Sequence, residues 1–195
     1  MNFRPIWILL LLALCSCAAA PTRAGAGDRY TIDPDHTFSI FEYSHWGLSR
    51  QQGRFDRTSG FIEMDQDAGT GNLEIVIDAA SINAGGELFN DTLRSSAFFD
   101  AARYPKITFQ SSALQFVDRQ LKKVDGDLTI KGITKPVVLE ITQFNCRFML
   151  IYGKRACGAN ATTKISRTDF NLGRYVPFVS DEVTLFIAVE AIKDE

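Results

Sequence analysis

The sequence predicts an all-β domain: about eight antiparallel strands curled into one closed sheet, with one or two short helices inserted. Three observations predict it. Apolar and polar residues alternate with period two through most of the chain, turn-forming residues punctuate the alternating runs, and a single stretch breaks the pattern. Closure removes exposed strand edges, and about eight strands enclose an interior that is either filled by side chains or holds one ligand. A flat sandwich shares the same period, so alternation alone leaves that alternative open.

Each element has its own signal. Near the start, Phe41 and Tyr43 alternate with Glu42 and Ser44. Ile107 and Phe109 alternate with Thr108 and Gln110, and Leu128 and Ile130 with Thr129 and Lys131. Val137, Leu139 and Ile141 alternate with Val138, Glu140 and Thr142. The last strand is clearest: Val183, Leu185, Ile187 and Val189 face one way, and Thr184, Phe186, Ala188 and Glu190 the other. Asp67-Ala68-Gly69-Thr70-Gly71, Asp125-Gly126, Gly132 with Lys135-Pro136, and Gly173 read as turns. Glu87 to Asp100 carries Leu88, Phe89, Leu93, Phe98 and Phe99 at mixed spacing. Asn90-Asp91 reads as a cap and Tyr104-Pro105 as a stop, so this stretch supplies the helical insertion.

Residues 1–17 read as an export signal, with Arg4 as the positive region and Ile6 to Leu14 as the apolar run. That run is too short to span a bilayer stably as a helix. Leu14-Cys15-Ser16-Cys17 has the form of a bacterial lipobox, which makes Cys17 the candidate for lipid attachment; ordinary cleavage near Ala24-Gly25-Ala26 is the alternative. Residues 18–28 then form a small-residue tether and 29–195 the barrel domain. The expected location is the periplasm, on a membrane surface if Cys17 is acylated. The net charge of −2 becomes −3 when residues 1–17 leave with Arg4, so a nucleic-acid partner is not expected. With only 2 His, a multi-histidine metal site is not expected either. Cys146 and Cys157 remain after export, and a lone pair in an oxidising compartment usually forms a disulfide. It would tie the arms of a hairpin turning near Tyr152-Gly153-Lys154; two reduced buried thiols are the alternative.

Several blocks resemble one family. Tyr30-Thr31-Ile32-Asp33-Pro34-Asp35-His36-Thr37 is the first, followed by His45-Trp46-Gly47, Gly53-Arg54-Phe55 and Gly60. Leu93-Arg94-Ser95, Phe98-Phe99-Asp100 and the run from Tyr104 to Phe109 come next, then the run from Gly126 to Pro136, Arg167-Thr168-Asp169-Phe170 and the strand from Val183 to Glu190. In order and spacing, over about Tyr30 to Lys193, these resemble the YceI-like family of bacterial lipid- and polyisoprenoid-binding proteins. The family pattern often has Gly after the Arg-x-Asp-Phe block, where this chain has Asn171. The resemblance implies an extended, lipocalin-like antiparallel barrel with a long apolar pore, and a bound isoprenoid or fatty-acid-like chain in place of any other cofactor. It also implies a disulfide-bearing branch and barrels that often associate, so a homodimer is an expectation.

The face assigned inward holds Phe41, Tyr43, Phe55, Ile107, Phe109, Leu128, Ile130, Leu139, Ile141, Ile165, Val183, Leu185 and Ile187, none of them charged. His45, on the parity of Phe41 and Tyr43, and Phe170 join the expected lining. Burying about twenty carbons would yield roughly 16 kcal/mol gross, at ~0.8 per methylene. Association and chain ordering consume half or more, which still leaves about micromolar binding. His36 is expected to latch the turn that contains Asp33, and His45 to be satisfied internally. No GxSxG, HExxH or Gly-rich phosphate loop occurs, so catalysis is not expected. The rival reading is a filled barrel docking an envelope protein through outward Phe186, Val138 and Phe144.

Overall fold

The computed structural model describes residues 27–195. The export signal, Cys17 and all but the end of the expected tether lie outside the described residues. Asp28, placed in that tether by the sequence, already belongs to the first strand.

Among the described residues, eleven strands, one α-helix and three short 3-10 turns follow in order. They are β1 (Asp28–Ile32), β2 (Phe38–His45), β3 (Ser49–Phe55), β4 (Thr58–Asp65), β5 (Thr70–Asp78) and β6 (Ile82–Asn83), then α1 (Glu87–Arg94). After it come β7 (Lys106–Val117), β8 (Gln120–Ile130), β9 (Ile133–Met149), β10 (Lys154–Ser166) and β11 (Glu182–Lys193). All pairings are antiparallel.

Eight strands close a ring in the order β1-β4-β5-β7-β8-β9-β10-β11, and β11 returns to β1 through Tyr30↔Lys193. The same edge of β11 also carries β2, through Leu185↔Phe41, because the 3-10 turn Pro34–His36 breaks β1 from β2. Strands β3 and β6 extend the sheet beyond β2, and α1 packs beside β6. The predicted closed barrel is therefore the fold. The helical insertion is one α-helix, and its cap differs from expectation. Gly86 is the N-cap, while Asn90 lies buried inside the helix and its Oδ1 accepts from the Ala84 N–H at 2.8 Å. A buried polar side chain needs a partner, and this one found it upstream.

The turns are tight where the backbone permits it. Asp118-Arg119 joins β7 to β8, and Lys131-Gly132 joins β8 to β9, with positive φ at both central residues of each. That conformation matches the twist of the flanking strands. Two expected turns are instead strand. Asp125-Gly126 lies inside β8 and Lys135-Pro136 inside β9. Gly126 is there because a Cβ would collide with the Phe109 ring, and Gly53 spares the Phe41 ring in the same way. Both rings can therefore lie close against the sheet wall.

One register shift changes which residues face inward. Between Ile141↔Ala161 and Gln143↔Asn160, β9 carries an extra residue, so its inward parity passes from Val137, Leu139 and Ile141 to Phe144 and Cys146. Strict alternation places Phe144 outward. The bulge turns it inward, where its ring meets Phe116 edge-on with centroids 6.2 Å apart. Phe186 and Val138 do face outward.

Candidate functional site: an apolar lumen

The inward faces do not fill the barrel. They enclose a cavity of about 470 Å³, within the range of small-molecule sites. Every expected lining residue except Phe170 borders it: Phe41, Tyr43 and His45 from β2, Phe55 from β3, Ile107 and Phe109 from β7, and Leu128 and Ile130 from β8. Leu139 and Ile141 from β9, Ile165 from β10, and Val183, Leu185 and Ile187 from β11 complete that set. Phe170 is buried in the turn Arg167–Phe170, outside the lumen, near the start of β9 and the end of β10. Many lining side chains, Leu185 and Ile187 among them, are only half-buried although they point inward, since they border open space.

Other lining residues follow the same alternation and were readable in principle: Ile75 and Ile77 on β5, Val124 on β8 and Val189 on β11. Phe144 was hidden by the bulge. The helix, the segment between it and β7, and the β10–β11 connection also contribute, with Phe89 and Leu93, Phe98 and Phe99, and Tyr175 and Val179; no local period signals that role.

The two ends of the lumen differ. Lining residues that also reach solvent, such as Phe89 at 41% and Tyr175 at 52% exposure, cluster beside α1 and the β10–β11 connection, so the mouth is there. Trp46 stacks on Phe178 at this rim, with centroids 4.6 Å apart, and its N–H donates to the Phe178 carbonyl at 2.7 Å. His45 borders the mouth and bridges Val179 through its backbone. At the opposite end Met64, Leu114 and Leu121 are buried and form the floor. Beyond them Arg155 Nη2 donates to Gln66 Oε1 at 2.7 Å, tying β10 to the β4–β5 turn.

The charged groups that border the lumen, Arg167 and Arg174, both stand at the mouth. Arg167 is committed to backbone. Its Nε donates to the Ser180 carbonyl at 2.8 Å, Nη1 to those of Leu172 at 2.7 Å and Arg174 at 3.2 Å, and Nη2 to that of Val179 at 2.9 Å. Burial holds its guanidinium below the ordinary arginine value, and burial also raises the Tyr43 phenol. Arg167 thus shapes the mouth. His36 lies away from the lumen, where its Nδ1 meets Asp33 Oδ2 at 2.8 Å as the expected turn latch. Among the described residues no group of three or more His, Cys, Asp or Glu is placed to hold a metal ion. The lumen offers chemistry of one kind: apolar contact along a barrel, with polar groups at one end.

Cys146 and Cys157 face each other across β9 and β10 and form a disulfide. Cys157 also borders the lumen.

Residues 30–191 match the profile of the YceI-like domain. Protein YceI of Escherichia coli O157:H7 is 33% identical over 190 residues, covering 96% of this chain and 98% of that protein. A UPF0312 protein of Vibrio parahaemolyticus is 31% identical over 190 residues, covering 95% and 97%. Among solved structures, Burkholderia cenocepacia BcnA superposes with a TM-score of 0.69 at 26% identity, over 82% of this chain and 99% of that one. A YceI protein of Campylobacter jejuni gives 0.68 at 30% identity, over 78% and 90%. A polyisoprenoid-binding domain from Saccharophagus degradans shares the fold, with a TM-score of 0.63 at 19% identity over 85% and 98%.

Proposed function

The chain belongs to the YceI-like family, and from that premise we propose that it is an exported lipid-binding protein holding one long apolar chain in its barrel. The observation that carries this reading is the continuous lumen of about 470 Å³, apolar along its length, with its charged groups confined to the mouth. A hydrocarbon chain requires no directional partner, and each buried methylene contributes about 0.8 kcal/mol. The guest is an isoprenoid, of the quinone or prenyl-phosphate type, or a fatty-acid-like chain. The polyisoprenoid-binding domain with the same fold supports the first. The role is transport, storage or sequestration, without turnover of the guest. The export signal in residues 1–17, with Cys17 as the acylation site, supports a periplasmic location at a membrane surface.

Organic extraction of the purified protein followed by mass spectrometry tests the reading. A chain-like lipid should appear, or should bind when offered to delipidated protein; neither occurring would refute it. Leu185 borders the lumen mid-strand, so Leu185→Asp should abolish uptake in a variant that still folds, because an unpaired charge in an apolar cavity is costly. Retained binding by folded Leu185→Asp would place the guest elsewhere.

A further inference from the structure

The β9–β10 hairpin carries an apolar tip that the lumen does not use. Phe148, Met149, Leu150, Ile151 and Tyr152 are consecutive, and Leu150 and Ile151 are 90% and 81% exposed. The pairing explains the exposure. β8 accompanies β9 only as far as Lys123↔Glu140, and β11 accompanies β10 only from Ala156↔Ile192 onward. Beyond those rows the hairpin continues as a two-stranded ribbon, held to the β4–β5 turn by the Arg155–Gln66 hydrogen bond, with the Cys146–Cys157 disulfide at its base. Arg147 and Lys154 flank the apolar run and join none of the ion pairs among the described residues. On the neighbouring rim Asp28 pairs with Lys193, Asp67 with Arg119 and Asp194 with Arg29, whereas Asp118 and Glu195 join no ion pair among the described residues.

A second observation orients this tip. Ala156 is level with Ile192, and Ile192 with Thr31, so Lys154 stands near the height of Arg29. Gly27 and the start of β1 therefore lie on the rim that carries the tip. The cavity mouth lies at the opposite end.

We propose that the Phe148–Tyr152 tip is a membrane-docking element, inserting its apolar residues into the interface of an anionic bilayer while Arg147 and Lys154 meet the lipid headgroups. An apolar run beside cations, with a tyrosine at the boundary, has the composition of an interfacial anchor. The disulfide braces the ribbon that presents it. Docked this way, the barrel stands with its floor toward the membrane and its mouth toward the aqueous phase.

The test uses the full chain and vesicles of phosphatidylethanolamine with phosphatidylglycerol, against pure phosphatidylcholine. Ile151→Trp and Leu48→Trp are each read as the difference from the parent, whose own Trp7 and Trp46 give the background. Ile151→Trp emission should shift to the blue and be quenched by brominated lipid, whereas Leu48→Trp, at the mouth end, should not. Leu150→Ser with Ile151→Ser should weaken partitioning at least about tenfold. Arg147→Ala with Lys154→Ala should remove the preference for anionic vesicles. An unquenched Ile151→Trp on vesicle-bound protein overturns the proposal. So does quenching confined to Leu48→Trp, which would mean that the mouth docks instead. A dimer in solution that the double serine variant dissociates, without any effect on vesicle binding, overturns it in favour of a second copy. Extractable lipid measured in the same variants separates this outcome from any failure of the cavity reading, since none of these residues borders the lumen.

Discussion

At the scale of single residues, the backbone of Asn171 decides how β10 hands over to the mouth. It sits at φ 54° and ψ 38°, closing the turn Arg167–Phe170, and its own carbonyl accepts from Lys131 Nζ at 3.1 Å. Glycine reaches this region freely, and asparagine is among the few other residues that visit it routinely. Asparagine can therefore close this turn at a position where the resemblance to the family implies glycine. Asn171→Gly should leave stability within about 0.5 kcal/mol, while Asn171→Val should cost about 1–2 kcal/mol in urea denaturation. The Asp33–His36 latch makes a different, pH-dependent prediction. Its hydrogen bond raises the imidazole above the ordinary histidine value and lowers the carboxyl below the ordinary aspartate value. The His36 contribution is therefore complete below the ordinary histidine value and fades as pH rises through the raised one. The Asp33 contribution is complete above the ordinary aspartate value and fades as pH falls through the lowered one. The latch is strongest between those limits. Titration of His36 by NMR should show its midpoint falling in Asp33→Asn.

Strands and hairpins respond to longer-range constraints. The disulfide closes an eleven-residue separation across the most extended hairpin of the barrel. Cys146→Ala with Cys157→Ala should lower unfolding stability by about 2–3 kcal/mol, mainly by freeing the unfolded chain. Native-state hydrogen exchange should show the added opening concentrated between residues 146 and 157. The same hairpin marks the limit of what was legible beforehand. Period-two alternation revealed β7, β8, the first half of β9 and β11, because each has one wall against the lumen and one against solvent. It misplaced Phe144 because a bulge inserts one residue without altering composition. It also misread Asp125-Gly126 as a turn, since a glycine that makes room for the Phe109 ring looks like one that makes room for a bend. The mouth was the least legible part. Phe89 and Tyr175 come from separate segments that meet only through tertiary packing.

For the molecule as a whole, the lumen sets stability against function. Side chains bordering open space lack partner atoms on one side, so the empty barrel forgoes dispersion contacts that a filled one would make. A bound chain restores them, and ligand at a hundredfold excess over Kd should stabilise the fold by about 2.7 kcal/mol. Filling the space from within should give the same stability and destroy the site. Ala159 is the position for this experiment: it borders the lumen between Phe144 on β9 and Val189 on β11 and is only half-buried, so a larger side chain has room. Ala159→Leu should raise the stability of the delipidated protein by about 1–2 kcal/mol in urea. In the same protein, lipid uptake measured by extraction should fall. Opposite signs for the two readouts would mean that the empty volume is kept for a guest at the expense of the fold. A variant that gains stability and still takes up lipid would mean that the guest lies outside this part of the barrel.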